Sequence, residues 1–131
     1  MNRRLVLDTN AYSNLFRGNT EILDALGEAE EVCIPVTVLG ELLAGFRMGT
    51  REARNRRELR DFLAKPSVRV LPTNEEVADQ YSLLVRDLKA AGRKIPTNDV
   101  WIAAHALVAG GALLTSDAHF QSVPGLRVRN V

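Results

Sequence analysis

Short apolar runs of β-forming residues alternate with helical stretches along this chain, and that alternation restricts its possible folds more than any other feature. The runs are residues 4–7, 32–36, 68–71 and 112–115, with Val128 closing a further short strand at the C-terminal edge. None is long enough to be stable alone, and the 3.6-residue periodicity between them supplies helices to cover them. Residues 9–17 form the first predicted helix, ended by Gly18, and Thr20 is placed to cap a second that runs to about Ala29. Thr37 caps the next, whose Val38, Leu39, Leu42, Leu43 and Phe46 fall on or near one face. Gly49-Thr50 breaks that helix, and an arginine-rich one continues to about Ala64 before Pro66. Thr73-Asn74-Glu75-Glu76 has the spacing of a capping box, Val77, Tyr81, Leu84, Val85 and Leu88 recur at helical intervals, and Gly92 stands where a left-handed stop is expected. A last helix covers residues 100–109. The pattern predicts an α/β fold, a parallel central sheet of four to five strands with helices on both faces and right-handed crossovers.

The length of 131 residues fits one domain over residues 1–131, and 46% hydrophobic with 25% charged residues lies in the globular range. A chain of this size buries roughly two-thirds of its unfolded surface, enough for a core without disulfides or a structural metal. Cys33 is the only cysteine, which excludes an internal disulfide framework and a cysteine-rich zinc site and fits a reducing compartment. Behind Arg3 and Arg4 the apolar run Leu5-Val6-Leu7 ends at Asp8, too short for a signal-peptide core. Residues 100–109 include His105 and stop at Gly110-Gly111, short of the ~20 residues that span a bilayer. A soluble, cytoplasmic protein with no membrane association is expected.

Ligands of a parallel α/β sheet bind beyond the carboxyl ends of its strands, so an acid directly after an apolar strand is well placed for chemistry. Asp8 follows Leu5-Val6-Leu7, and Asp117 follows the 112–115 run by one serine. Glu41 lies in the first turns of the helix after the second strand, among apolar neighbours, and Asp99 opens the helix at Thr97-Asn98-Asp99-Val100-Trp101. Taken singly, each has a plain structural reading: Asp8 and Asp99 as helix caps, Glu41 as a salt-bridged acid, Asp117 as a turn former. Together they come from four separate segments near predicted strand ends. If gathered they repel one another unless a cation sits between them, and oxygen-only ligands select a hard ion, Mg²⁺ or Mn²⁺.

These residues resemble the PIN domain family and, within it, the VapC-type toxins of toxin-antitoxin pairs. The resemblance rests on Leu5-Val6-Leu7-Asp8-Thr9-Asn10, on Glu41, on residues 98–106 (NDVWIAAHA) and on residues 113–120 (LLTSDAHF), in that order. It implies a metal-dependent endoribonuclease in which Asp8, Glu41, Asp99 and Asp117 are the catalytic and metal-binding residues, holding one or two Mg²⁺ or Mn²⁺ ions. Asp8 and Asp99 are the firmest ligands, Glu41 binds metal or orients the attacking water, and Asp117 supports metal directly or through water. Thr115 and Asn98 support the ligands, and Thr9 and Asn10 shape the loop. The implied partners are an RNA substrate, a cognate antitoxin and a second copy of the chain. His119 departs from the pattern, since some relatives carry a further acid there; beside Phe120 it reads as structural, with a phosphate contact as the other reading. His105 reads as a packed or hydrogen-bonded core residue, and Trp101 as core or dimer contact rather than a base-stacking platform.

Charge is unevenly spread although 17 Lys+Arg against 16 Asp+Glu leave only +1. Residues 47–60 hold six arginines against two glutamates, a local 6 − 2 = +4. Arg47, Arg51 and Arg54 recur at i, i+4 and i+7 and are candidate RNA contacts as one helical stripe, with a solvated face held by pairs such as Arg54 with Glu58 as the alternative. Two further functions stay open from the residues: a PIN-like module that binds RNA without cleaving it, and an Asp-dependent phosphatase or phosphotransferase. The latter is disfavoured because Asn10 stands where that pattern wants a second acid.

Overall fold

Every residue of Leu5–Leu7 and of Ala112–Thr115 is buried, although successive side chains of a strand point to opposite faces. Such strands must be covered on both sides and belong at the centre of the sheet. The computed structural model, which describes residues 3–131, places them there. Strands β1 (Arg4–Leu7), β2 (Glu31–Pro35), β3 (Val68–Leu71), β4 (Ala112–Thr115) and β5 (Val128–Asn130) pair in parallel in the order β3-β2-β1-β4-β5. The α/β fold read from the alternation is the one observed, with the sheet at its upper limit of five strands.

The helices are α1 (Thr9–Phe16), α2 (Thr20–Glu28), α3 (Val36–Met48), α4 (Glu52–Leu63), α5 (Glu75–Ala90) and α6 (Thr97–Ala109). Three capping expectations are corrected. Asn19, not Thr20, caps α2 by accepting from the Ile22 amide at 3.0 Å, and Asn74, not Thr73, caps α5 by accepting from Val77 at 3.0 Å. Asn is the stronger N-cap of each adjacent pair. The Thr73 hydroxyl instead meets His105 Nε2 at 2.9 Å. Thr37 caps nothing, because β2 ends at Pro35, one residue earlier than expected, and α3 begins at Val36 without a side-chain cap. α6 likewise starts at Thr97, so Asp99 sits inside its first turn rather than before it.

Gly92 closes α5 as expected, at φ +67°, with Arg93 N–H donating to the Leu88 carbonyl at 2.9 Å. Gly111 answers a different demand: a Cβ there would lie 2.9 Å from the Arg4 carbonyl oxygen, so only glycine lets β4 enter the sheet beside β1. The arginine segment is divided by the break at Gly49. Arg47 ends α3 and pairs with Glu52 at 3.5 Å, whereas Arg54 is on α4, so the three arginines do not form one continuous stripe.

Candidate active site

Strand order grows outward from β1 through β2 to β3, then resumes on the other side of β1 with β4. A sheet that changes direction in this way leaves a crevice at the carboxyl ends of the two strands flanking the change. Leu7 pairs with Leu114 in register, so the next residues, Asp8 and Thr115, meet across the top of that crevice. Thr115 Oγ1 donates to Asp8 Oδ2, while Asp8 Oδ1 accepts from the Ala11 amide at 2.8 Å. Asp8 therefore caps α1, as one of its two readings expects, and its other carboxylate oxygen lies at the crevice, bonded to Thr115. Thr115 Oγ1 in turn accepts from the Asp117 amide at 3.0 Å, which holds the loop after β4 over the same point.

Glu41 arrives on α3 and Asp99 on the first turn of α6. Thr9 Oγ1 donates to Glu41 Oε1 at 2.6 Å, and Asn98 Nδ2 reaches Glu41 Oε2 at 3.4 Å. His119, on the short 3₁₀ turn Ala118–Ser122, places Nε2 2.7 Å from Asp99 Oδ2. The ligand atoms of Asp99, Asp117 and His119 all lie within 4.8 Å of one another. Of the supporting residues named from sequence, Thr9, Asn98 and Thr115 thus touch the acids. Asn10 is exposed in the first turn of α1 and makes no hydrogen bond to them among the described residues.

Electrostatics bind the four carboxylates into one site. Burial raises the pKa of Asp8 above the usual 3.8; hydrogen bonds from Thr115 and Ala11 oppose the rise, and the charges of Asp117 and Asp99 add to it. Burial also raises that of Asp99, against the pull of His119 and with the charges of Glu41 and Asp117 behind it. Crowded, desolvated carboxylates with one imidazole among them fit a divalent cation, which would remove the repulsion that now favours protonation.

The crevice continues sideways into a groove of about 510 Å³ between α1, α3 and α4. Thr9 and Glu41 lie at its junction with the acids, and Arg51 and Arg54 line its far wall. Sequence reading missed this groove. It also read His119 as structural, with a phosphate contact as the other reading, and not as a partner of Asp99, although its spacing two residues after Asp117 was the available signal. His105 is buried and bonded to Thr73, as expected, and Trp101 stacks on Tyr81 with centroids 3.8 Å apart, so that ring face is already taken. No helix among the described residues is long and apolar enough to cross a membrane.

The PIN domain sequence pattern matches residues 5–126, nearly the whole chain. The chain belongs to the PIN domain family. Over 95 residues this PIN domain is 34% identical to Ribonuclease VapC4 of Mycobacterium tuberculosis, covering 72% of this chain and 73% of that protein. Its fold matches that of VapBC-1 from nontypeable Haemophilus influenzae with a TM-score of 0.86 at 26% identity over 97% of both chains. VapBC-5 of M. tuberculosis, a member of the VapBC family of toxin-antitoxin systems, superposes with a TM-score of 0.78 at 25% identity over 98% of this chain and 99% of that one.

Proposed function

We infer that this PIN domain is the toxin of a type II toxin-antitoxin pair, an endoribonuclease that hydrolyses phosphodiester bonds in cellular RNA. The observation that carries the reading is the convergence of Asp8, Glu41, Asp99 and Asp117 at the β1/β4 switch point, where burial and mutual charge raise the pKa values of Asp8 and Asp99. Relatives that are ribonucleases support it, as does the likeness to a toxin-antitoxin complex. Asp8, Asp99 and Asp117 would hold Mg²⁺ or Mn²⁺, with Glu41 as a further ligand or as the group that orients the attacking water. When bound, such an ion supplies Lewis-acid activation of water and neutralises charge on the phosphate.

The chain's own residues prepare that chemistry. Thr115 fixes the rotamer of Asp8 and the path of the Asp117 loop through one hydroxyl. Thr9 and Asn98 hold the two oxygens of Glu41, so its carboxylate faces the crevice in one orientation. His119 orients Asp99. The phosphatase alternative loses ground because no acid stands two residues after Asp8, where Asn10 is found. The same reading brings a cognate antitoxin that covers the site, a cytoplasmic setting and a homodimer. Light scattering should give twice 14.5 kDa for the isolated chain.

Purified protein should cut RNA with Mg²⁺ or Mn²⁺, stop on chelation, and lose about a hundredfold or more in kcat on Asp99→Asn or Asp8→Asn. Activity that survives both substitutions would sink the assignment. Sequencing the 5′ ends of cellular RNA after expression of wild type and Asp99→Asn identifies the bond cleaved.

A further inference from the structure

Three helices each turn one face toward the groove beside the acids. α1 offers Tyr12 and Phe16, one helical turn apart with ring centroids separated by 4.8 Å; Phe16 also meets Phe62 edge-on and as a residue remains 43% exposed. α3 offers Gly45, where a Cβ would meet nothing within 4 Å, so the missing side chain is open space in the groove. On the α4 side, Arg51, Arg54, Asn55 and Glu58 recur at i, i+3, i+4 and i+7 and form a polar row, while Leu59 and Phe62 face the core. Among the described residues the buried Tyr12 hydroxyl has no hydrogen-bond partner, and the charge of Glu58 is near enough to push the phenol pKa up beyond the effect of burial.

This surface suits a nucleotide better than an apolar peptide, which would leave the α4 row facing unpaired and desolvated. An exposed aromatic ring stacks any base, and guanidinium forks suit phosphate. On the same α4 row, one turn beyond Arg54 and near Tyr12, stands Glu58, whose carboxylate when ionised only accepts hydrogen bonds. Guanine is the RNA base whose Watson–Crick edge presents two adjacent donors, N1–H and N2–H, to such a group. A volume of about 510 Å³ lies within the range of small-molecule sites.

We propose that the groove is a guanine-selective subsite for an unpaired nucleotide beside the scissile phosphate, with Phe16 stacking the base, Glu58 accepting from N1–H and N2–H, and Arg51 and Arg54 on the flanking phosphates. The proposal rests on the ribonuclease reading, and its test separates the two. RNA heptamers that differ only in one central base are titrated by fluorescence anisotropy in chelator, where no cleavage occurs. Wild type should bind the guanine heptamer about tenfold or more tightly than the adenine, cytosine and uracil ones, as a bidentate base contact allows. Glu58→Gln, nearly isosteric and checked by thermal melting, should bring the four together. Gly45→Met, which fills the groove, should weaken all of them. Equal wild-type affinities, or affinities unmoved by both variants, overturn the subsite even if the protein cleaves RNA with Mn²⁺. Guanine-selective binding with no cleavage under Mg²⁺ or Mn²⁺ keeps the subsite and overturns the nuclease. Loss of the co-expressed antitoxin with RNA affinity unchanged assigns the groove to a protein and overturns the proposal.

Discussion

Asp8 combines two jobs that a substitution can separate. Asparagine retains an oxygen able to accept from the Ala11 amide, whereas alanine does not, so Asp8→Ala should cost about 1 kcal/mol more in stability than Asp8→Asn, read from denaturant midpoints. Both variants should be inactive. The raised pKa values of Asp8 and Asp99 have a definite sign in stability. In the folded chain each carboxyl holds its proton to higher pH than in the unfolded chain. Their contribution to stability therefore falls as pH rises from 3.8 through the folded values. Above those folded values the ionised Asp8 and Asp99 carboxylates oppose folding. Asp99→Asn should accordingly stabilise the metal-free protein, by roughly 0.5–2 kcal/mol, and remove most of the melting-temperature gain that Mn²⁺ gives wild type. A lower melting temperature for metal-free Asp99→Asn would show that the His119 contact outweighs the repulsion.

At the scale of elements, cap choice positions the site. Asn74 and Thr73 are adjacent yet serve different helices, one capping α5 and the other bonding His105 of α6. Asn74→Ala should cost about 1 kcal/mol by loss of the cap. Thr73→Val should leave the cap intact and strand His105 Nε2, whose ring burial already keeps neutral by lowering its pKa. Hydrogen exchange should distinguish them, with early α5 amides losing protection only in Asn74→Ala. The early start of α6 matters more for function. It puts Asp99 in the helix's first turn, where the positive end of the macrodipole favours a carboxylate, and aims it at His119 rather than at its own backbone.

Over the whole molecule, the near-zero net charge is a cancellation of two local fields. One is the acidic crevice; the other is the arginine-bearing wall next to it, and under the proposed function the first would concentrate a divalent cation and the second would attract the phosphates on which that cation acts. Structure separates four of the six arginines of residues 47–60 by role. Arg51 and Arg54 line the groove, whereas Arg47 and Arg56 pair with Glu52. Replacing Arg51 and Arg54 together by alanine should reduce the slope of log affinity against log salt by about 1.4 for single-stranded RNA, two phosphates' worth. Arg47→Ala should leave that slope unchanged.

Local rules acting within a few residues were enough to read the alternation of strands and helices, the parallel sheet, the Gly92 stop and the position of Asp8 and Asp117 after their strands. Apolar periodicity and backbone preference are properties of short segments, and they survive without tertiary context. Even the four acids could be singled out, because each follows or opens an apolar element. Their meeting could not be read in this way, since residues 8, 41, 99 and 117 come together only through the reversal of strand order between β1 and β4. The same holds for His119 on Asp99, for the split of Arg47 from Arg54, and for the groove in which Tyr12, Gly45 and Glu58 share one wall space. Contacts between segments dozens of residues apart depend on how helices pack across the sheet, and that packing decides which polar groups end up facing each other and which face water.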